Sequence, residues 1–212
     1  MNATVGILAL QGGFASHAAV FSRLGAAVRE VRVEKDLEGC DALVIPGGES
    51  TTLTRLLMEP DTGYGTGTPW KPGKLFGALR EFARERPTMG TCAGLIMLAR
   101  PSLDERVVPL DVLPVTVERN AYGRQTESFI ERIPLRFPGA GSEPYPATFI
   151  RAPKIVAMDG GVETLATARD ASGAESPVMV RYKKILALSF HPELTPEDAR
   201  IHAYFLSMIG NL

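Results

Sequence analysis

The stretch TVGILALQGG, Thr4 to Gly13, decides how this chain is laid out. TVGILAL is a continuous apolar run of strand length, the pattern of a strand covered on both faces; a half-exposed strand would alternate. QGG then breaks the run. Phe14, Ala18, Phe21 and Leu24 recur at roughly helical spacing, and Gly25 stands where a helix C-terminal cap belongs. A short strand near Ala27 to Val33 and a third buried run, DALVIP, follow. Strand, helix and strand in alternation predict a doubly wound, mostly parallel α/β sheet, with ligands outside the carboxyl ends of its strands. Three loops are placed there: LQGG, PGGES and GTCAG.

Further along, LFGALREFARE reads as a helix, PTMGT as a buried strand and AGLIMLAR as another helix. The stretch from Glu59 to Gly73, EPDTGYGTGTPWKPG, is too rich in Gly, Pro and Thr for a helix or a central strand, and is expected to be a surface excursion between helices. In the second half, VVPLDVLPVTVERN, ATFIRAPKIVAM and ETLATARD read as short strands that add an antiparallel or mixed portion. ILALSFHPE is a last buried run. TPEDARIHAYFLSMIGN is expected to be a helix with Thr195 as its N-cap, Pro196 in the first turn and Asp198 at the third position.

With 212 residues, 45% of them hydrophobic, the chain can bury a sizeable core, and one domain spanning 1–212 is expected. A formal net charge of -1 leaves no electrostatic footprint for nucleic acid or an anionic membrane, so neither is expected as a partner. Two cysteines, Cys40 and Cys92, do not make a disulfide framework. The N-terminus lacks a basic leader and a spanning apolar run, and a reducing cytoplasm is the expected location.

GTCAG has the form GxCxG, the cysteine counterpart of the nucleophile elbow, in which a tight strand-to-helix turn holds the nucleophile out at the strand end. There the helix terminus favours an anion, so a thiolate is stabilised. The alternative is a buried structural cysteine among small residues. A nucleophilic cysteine needs a base, and the chain has three histidines. His17 and His202 fall inside helices and read as ordinary packing. His191 ends a buried strand and precedes Pro192, which favours an extended backbone, so His191 and Glu193 are expected to project the same way. Cys92, His191 and Glu193 together supply a nucleophile, a base and a carboxylate to orient the base. Ala93 and Gly48 are candidate backbone donors for an oxyanion hole. The alternative for Gly47 and Gly48 is a simple turn or a phosphate cradle, although no GxxxxGK[ST] or GxGxxG pattern is present.

Taken together, LALQGG, PGGESTT, GTCAGLI, RNAYGRQ, FIRAP and SFHPEL resemble the glutaminase subunit of the two-component pyridoxal phosphate synthase, among the class I (triad) glutamine amidotransferases. The blocks run from Leu8 to Leu194. The resemblance implies a flavodoxin-like fold with an added antiparallel portion, and hydrolysis of L-glutamine to glutamate and ammonia for vitamin B6 synthesis. It implies Cys92 as nucleophile with His191 and Glu193 completing the triad. Gly48, Glu49, Ser50, Arg119, Ile150 and Arg151 match glutamine-binding positions, and Gln11 matches a loop that helps set the oxyanion site when the synthase docks. The implied partner is a TIM-barrel synthase subunit; no cofactor and no metal are implied. The Gly- and Pro-rich stretch up to Gly73 is longer than the family pattern, and Cys40 matches no functional block. Two other readings compete: a cysteine hydrolase of another specificity on the same fold, such as a gamma-glutamyl hydrolase, and a non-catalytic scaffold for a synthase.

Overall fold

A computed structural model describes residues 3–60, 70–101, 105–119, 128–169 and 173–210. In chain order the elements are β1 (Thr4–Leu8), α1 (Phe14–Arg23), β2 (Ala27–Val31), β3 (Ala42–Ile45), α2 (Ser50–Leu57), β4 (Met58–Pro60), β5 (Trp70–Pro72), α3 (Lys74–Glu85), β6 (Thr88–Thr91), α4 (Ala93–Leu98), β7 (Val115–Glu118), β8 (Phe129–Ile133), β9 (Tyr145–Phe149), β10 (Lys154–Met158), β11 (Glu163–Arg169), β12 (Glu175–Tyr182), β13 (Ile185–Leu188) and α5 (Arg200–Ile209). Single 3₁₀ turns lie at Glu34–Leu37 and Pro192–Leu194.

Among the described residues the central sheet runs β11-β12-β13-β6-β3-β1-β2. From β2 to β13 every pairing is parallel, while β12 and β11 add an antiparallel edge. This is the flavodoxin-like order, in which β1 and β3 flank the switch point where the chain changes direction across the sheet. The apolar runs are explained by the two cores. Val5, Ile7, Val44, Met89, Leu186 and Leu188 face one side, with α1, α5 and the β8–β9 hairpin. Leu8, Leu43, Ile45, Ile185 and Ala187 alternate with them and face the other side, with α2, α3, α4 and the β7–β10 ribbon. Each such aliphatic side chain, fully buried, contributes about 1.5–3 kcal/mol, so register is fixed from both faces.

One expectation gains detail and one needs correction. The excursion from Glu59 to Gly73 is anchored at its ends by a short antiparallel ribbon, with Met58 opposite Pro72; residues 61–69 lie outside the described residues. It pairs because Gly73 N–H donates to Leu57 O at 2.9 Å, drawing the end of α2 and the start of α3 together. The last helix begins at Arg200, not after Thr195, and its N-cap Ala199 offers no side-chain bond. Thr195 instead donates its hydroxyl to Pro146 O (3.0 Å), and Asp198 forks onto Arg200 (2.8 and 2.6 Å). The polar residues that look like a cap bind the preceding turn to β9 and the flank of α5.

Candidate active site

The loops after β1, β3, β6 and β13 meet at the carboxyl ends of the parallel strands, around a cavity of about 470 Å³. Cys92 sits between β6 and α4 with φ 49° and ψ -104°. A non-glycine residue there carries strain of order 1–3 kcal/mol, so the surroundings must hold it. They do so through Cys92 N–H, which donates to Leu188 O at 2.8 Å, and Cys92 O, which accepts from Ile96 N–H at 3.3 Å. Packing dictates both glycines of the pentapeptide. A Cβ on Gly94 would lie 1.9 Å from Ile45 O, and one on Gly90 would lie 2.6 Å from Gly94 O and from Leu98 Cδ1. The elbow is thus wedged against β3, with Cys92 only 6% exposed. Its Sγ is 3.8 Å from Ile150 O.

His191 follows β13 with φ -112° and ψ 86° and is fixed by its N–H, which donates to Thr148 O at 2.9 Å. Glu193 is not in extended chain: Pro192–Leu194 closes a 3₁₀ turn, with Leu194 N–H on His191 O at 3.2 Å. That turn, rather than strand alternation, folds the carboxylate back onto the ring, and His191 Nδ1 lies 2.8 Å from Glu193 Oε1. His191 Nε2 is buried and is left for the sulfur side of the cavity. A Cβ on Gly47 would meet His191 Cε1 at 2.3 Å and Cys92 Cβ at 3.4 Å, so the two side chains flank one point. Burial alone would lower the His191 pKa, but the nearby Cys92 sulfur and the hydrogen-bonded Glu193 carboxylate outweigh it and pull the ring up to about 10. Burial would likewise raise the Glu193 carboxyl, but His17 and His191 hold it well below the ordinary carboxylate range.

Every expected site residue except Gln11 lines this cavity: Cys92, His191, Glu193, Gly48, Ala93, Glu49, Ser50, Arg119, Ile150 and Arg151. Gln11 lies behind it as a clamp. Glu49 N–H donates to Gln11 Oε1 at 3.1 Å, and Gln11 Nε2 donates to Glu49 O at 3.4 Å. The clamp explains Gly48, whose Cβ would fall 2.4 Å from both ends of the Gln11 amide. Glu49 caps α2 by accepting from Thr51 and Thr52 N–H (3.1 and 2.7 Å). Burial opposes its ionisation, yet the bonds from Thr51 and Thr52 bring its pKa down to about 2. Arg119, just after β7, lines the cavity with its guanidinium 3.4 Å from Glu49 Oε1. Arg151, with φ 44°, follows β9. The rest of RNAYGRQ, residues 120–125, lies outside the described residues. Cys40 is a buried free thiol remote from the cavity lining. Among the described residues, no group of three or more His, Cys, Asp or Glu is arranged to hold a metal ion.

The sequence reading missed His17. It is fully buried on α1, and its Nε2 lies 3.2 Å from Glu193 Oε2, the carboxylate oxygen that His191 does not use. His202 on α5, also fully buried, stands behind it. A signal was present: each histidine lies on the apolar stripe of its helix, His17 with Phe21 and His202 with Phe205, where a polar ring needs a partner.

Comparison with known proteins follows the same lines. The model of the SNO glutamine amidotransferase family matches residues 7–211. Pyridoxal 5'-phosphate synthase subunit PdxT of Thermus thermophilus is 46% identical, over 99% of this chain and 100% of that protein. The protein of that name from Deinococcus radiodurans is 45% identical, over 98% and 97%. A crystal structure of a glutamine amidotransferase superposes with a TM-score of 0.78 at 42% identity, covering 97% of this chain and 98% of the other. The Thermotoga maritima PurLQS structure, at 14% identity and a TM-score of 0.64, shares the fold. A family match over almost the whole length, on a sheet whose loops gather a cysteine elbow and a His–Glu pair, shows that this chain belongs to the SNO glutamine amidotransferase family.

Proposed function

We propose that this chain, as one domain in the cytoplasm, is the glutaminase subunit of a two-component pyridoxal 5'-phosphate synthase. It hydrolyses L-glutamine to L-glutamate and ammonia through Cys92, His191 and Glu193, and passes the ammonia to a TIM-barrel synthase subunit. One observation carries the reading: a cysteine held at positive φ lines the same cavity as a buried His191–Glu193 pair bonded at 2.8 Å. The similar proteins of Thermus thermophilus and Deinococcus radiodurans, each a subunit of pyridoxal 5'-phosphate synthase by name, support the partner.

His191 Nε2, buried on the sulfur side of the cavity, takes the proton of Cys92, whose sulfur then attacks as the nucleophile. Sγ bonds to the carboxamide carbon of glutamine, and the oxygen that gains charge is held by the Gly48 and Ala93 N–H groups. Collapse breaks the C–N bond while His191 Nε2 protonates the departing ammonia, leaving a glutamyl thioester. His191 then takes a proton from water, which attacks the thioester; the thiolate leaves and glutamate is released. Glu193 keeps Nδ1 protonated and the ring aimed throughout. Arg119 and Arg151 suit the amino acid's α-carboxylate, which a guanidinium holds through paired bonds. Glu49, Ser50 and Ile150 complete the wall around it.

The test is glutamate release from free glutamine by the chain with and without the synthase subunit. Replacing Cys92 with Ala should abolish turnover and leave complex formation intact; surviving turnover would refute the mechanism. Equal cleavage of γ-glutamyl peptides or folates would favour the gamma-glutamyl hydrolase reading.

A further inference from the structure

Behind the triad the fold buries two more imidazoles in a line. His17 Nε2 lies 3.2 Å from Glu193 Oε2 and 3.3 Å from Thr91 Oγ1, and His17 Nδ1 lies 3.1 Å from His202 Nε2. His17, His202 and Thr91 are all fully buried, so solvent does not choose their proton positions. Glu193 is an acceptor, and its ionised carboxylate demands a proton on His17 Nε2. Thr91 Oγ1 already accepts from Gly47 N–H at 2.9 Å and shares the same ring edge. With Nε2 protonated, neutral His17 has a bare Nδ1, which accepts from His202 Nε2–H. His202 Nδ1 then ends the line as a buried lone pair without a hydrogen-bond partner among the described residues. Reversing the line would place the His17 lone pair against the carboxylate and an orphan N–H at the end, the costlier arrangement. Burial brings the His202 pKa down to about 3 and keeps that ring neutral.

We propose that His17 is a positioning residue for Glu193, and that His202 sets the His17 tautomer that this requires. Resting on the triad proposed above, the inference gives each carboxylate oxygen an imidazole: His191 is hydrogen-bonded to Oε1, and His17 Nε2 sits in ion-pair contact with Oε2, which has no hydrogen bond of its own among the described residues. The contact disfavours rotation of Glu193 away from the base during the proton transfers. Two helices at opposite ends of the chain, α1 and α5, thereby brace the acid; Phe21 packs on His202 (centroids 5.0 Å) and on Phe205 (6.0 Å) to hold the second ring.

The experiment uses the full chain in complex with its synthase subunit and measures kcat and KM for glutamine. His17→Leu, close in volume, should lower kcat about ten- to a hundredfold with KM changed less than about twofold, as for a lost buried ion-pair contact. His17→Gln, which carries an N–H at a similar reach, should recover most of the loss, and His202→Leu should fall between. A purely structural role would lower the melting temperature without this split or the rescue. Glu193→Gln separates the two levels. If it turns over normally, the triad reading fails; if it is dead while folded His17→Leu is unimpaired, the positioning role fails. Should His17→Leu not fold, ¹⁵N NMR of the wild type decides. His17 protonated on Nε2 supports the inference, and His17 protonated only on Nδ1 overturns it.

Discussion

Gly47→Ala tests the site with one methyl group. The added Cβ would lie 2.3 Å from His191 Cε1 and 2.8 Å from Nδ1, whereas ordinary contact begins at 3.4 Å. The ring must retreat by about 1 Å, and misplacement of that size at a reacting group costs about a hundredfold in rate. Gly47 is not among the positive-φ glycines, so backbone strain does not confound the change. The ring is pinned through its backbone at Thr148 and through Nδ1 at Glu193, so it cannot retreat without lengthening the bond to its acid. The assay is glutamate release at saturating glutamine, with circular dichroism to establish folding. Gly13→Ala should be milder, because its Cβ meets Glu193 Oε1 at 2.8 Å. Gly77→Ala is the control: exposed on α3 with open space around it, it should keep full activity and gain about 0.5–1 kcal/mol of stability. Folded Gly47→Ala with a kcat within about twofold of wild type would refute the inferred placement of the base.

Stability should follow pH in two windows. Glu193 titrates below its ordinary value of 4.5 in the folded state, so its contribution is present above that value and lost as pH falls through the lower folded pKa; the melting gap between wild type and Glu193→Gln should close in acid. His191 has the opposite sign: its contribution is complete below 6.5 and lost as pH rises through about 10, so the gap to His191→Gln should close in alkali. Glu49→Ala removes the cap of α2 and should cost about 1 kcal/mol in urea unfolding, with a rise in KM because Arg119 loses a partner. Arg119→Ala should raise KM for glutamine with kcat nearly unchanged, read from initial rates.

The parallel core was legible because strands buried on both faces need apolar residues at every position, as in TVGIL and ALVI. Cys92 was legible because two glycines surround a residue that must turn sharply, and each glycine proves to be a place where a Cβ would strike backbone or a neighbouring side chain. The HPE pairing was foreseen, but through the wrong local geometry: strand alternation was expected, and a 3₁₀ turn brings the groups together. Thr195 misled because a Thr-Pro-x-Asp pattern satisfies a cap and an isolated turn equally well. His17 and His202 were passed over because a histidine inside an apolar stripe has the same local signature whether its partner is core packing or a carboxylate contributed from a distant loop.

The sequence by itself determined which segments are buried strands, where the chain bends at Cys92, and which residues are chemically able to act as nucleophile, base and acid. Those properties reside in local pattern and side-chain type. Only the tertiary structure decided that Gln11 clamps the Glu49 backbone, that Gly47 keeps the cavity open between Cys92 and His191, and that His17 and His202 converge on Glu193. Such contacts join residues as far as 185 positions apart, as His17 and His202 are, and they exist only once the sheet order has set the strand ends side by side.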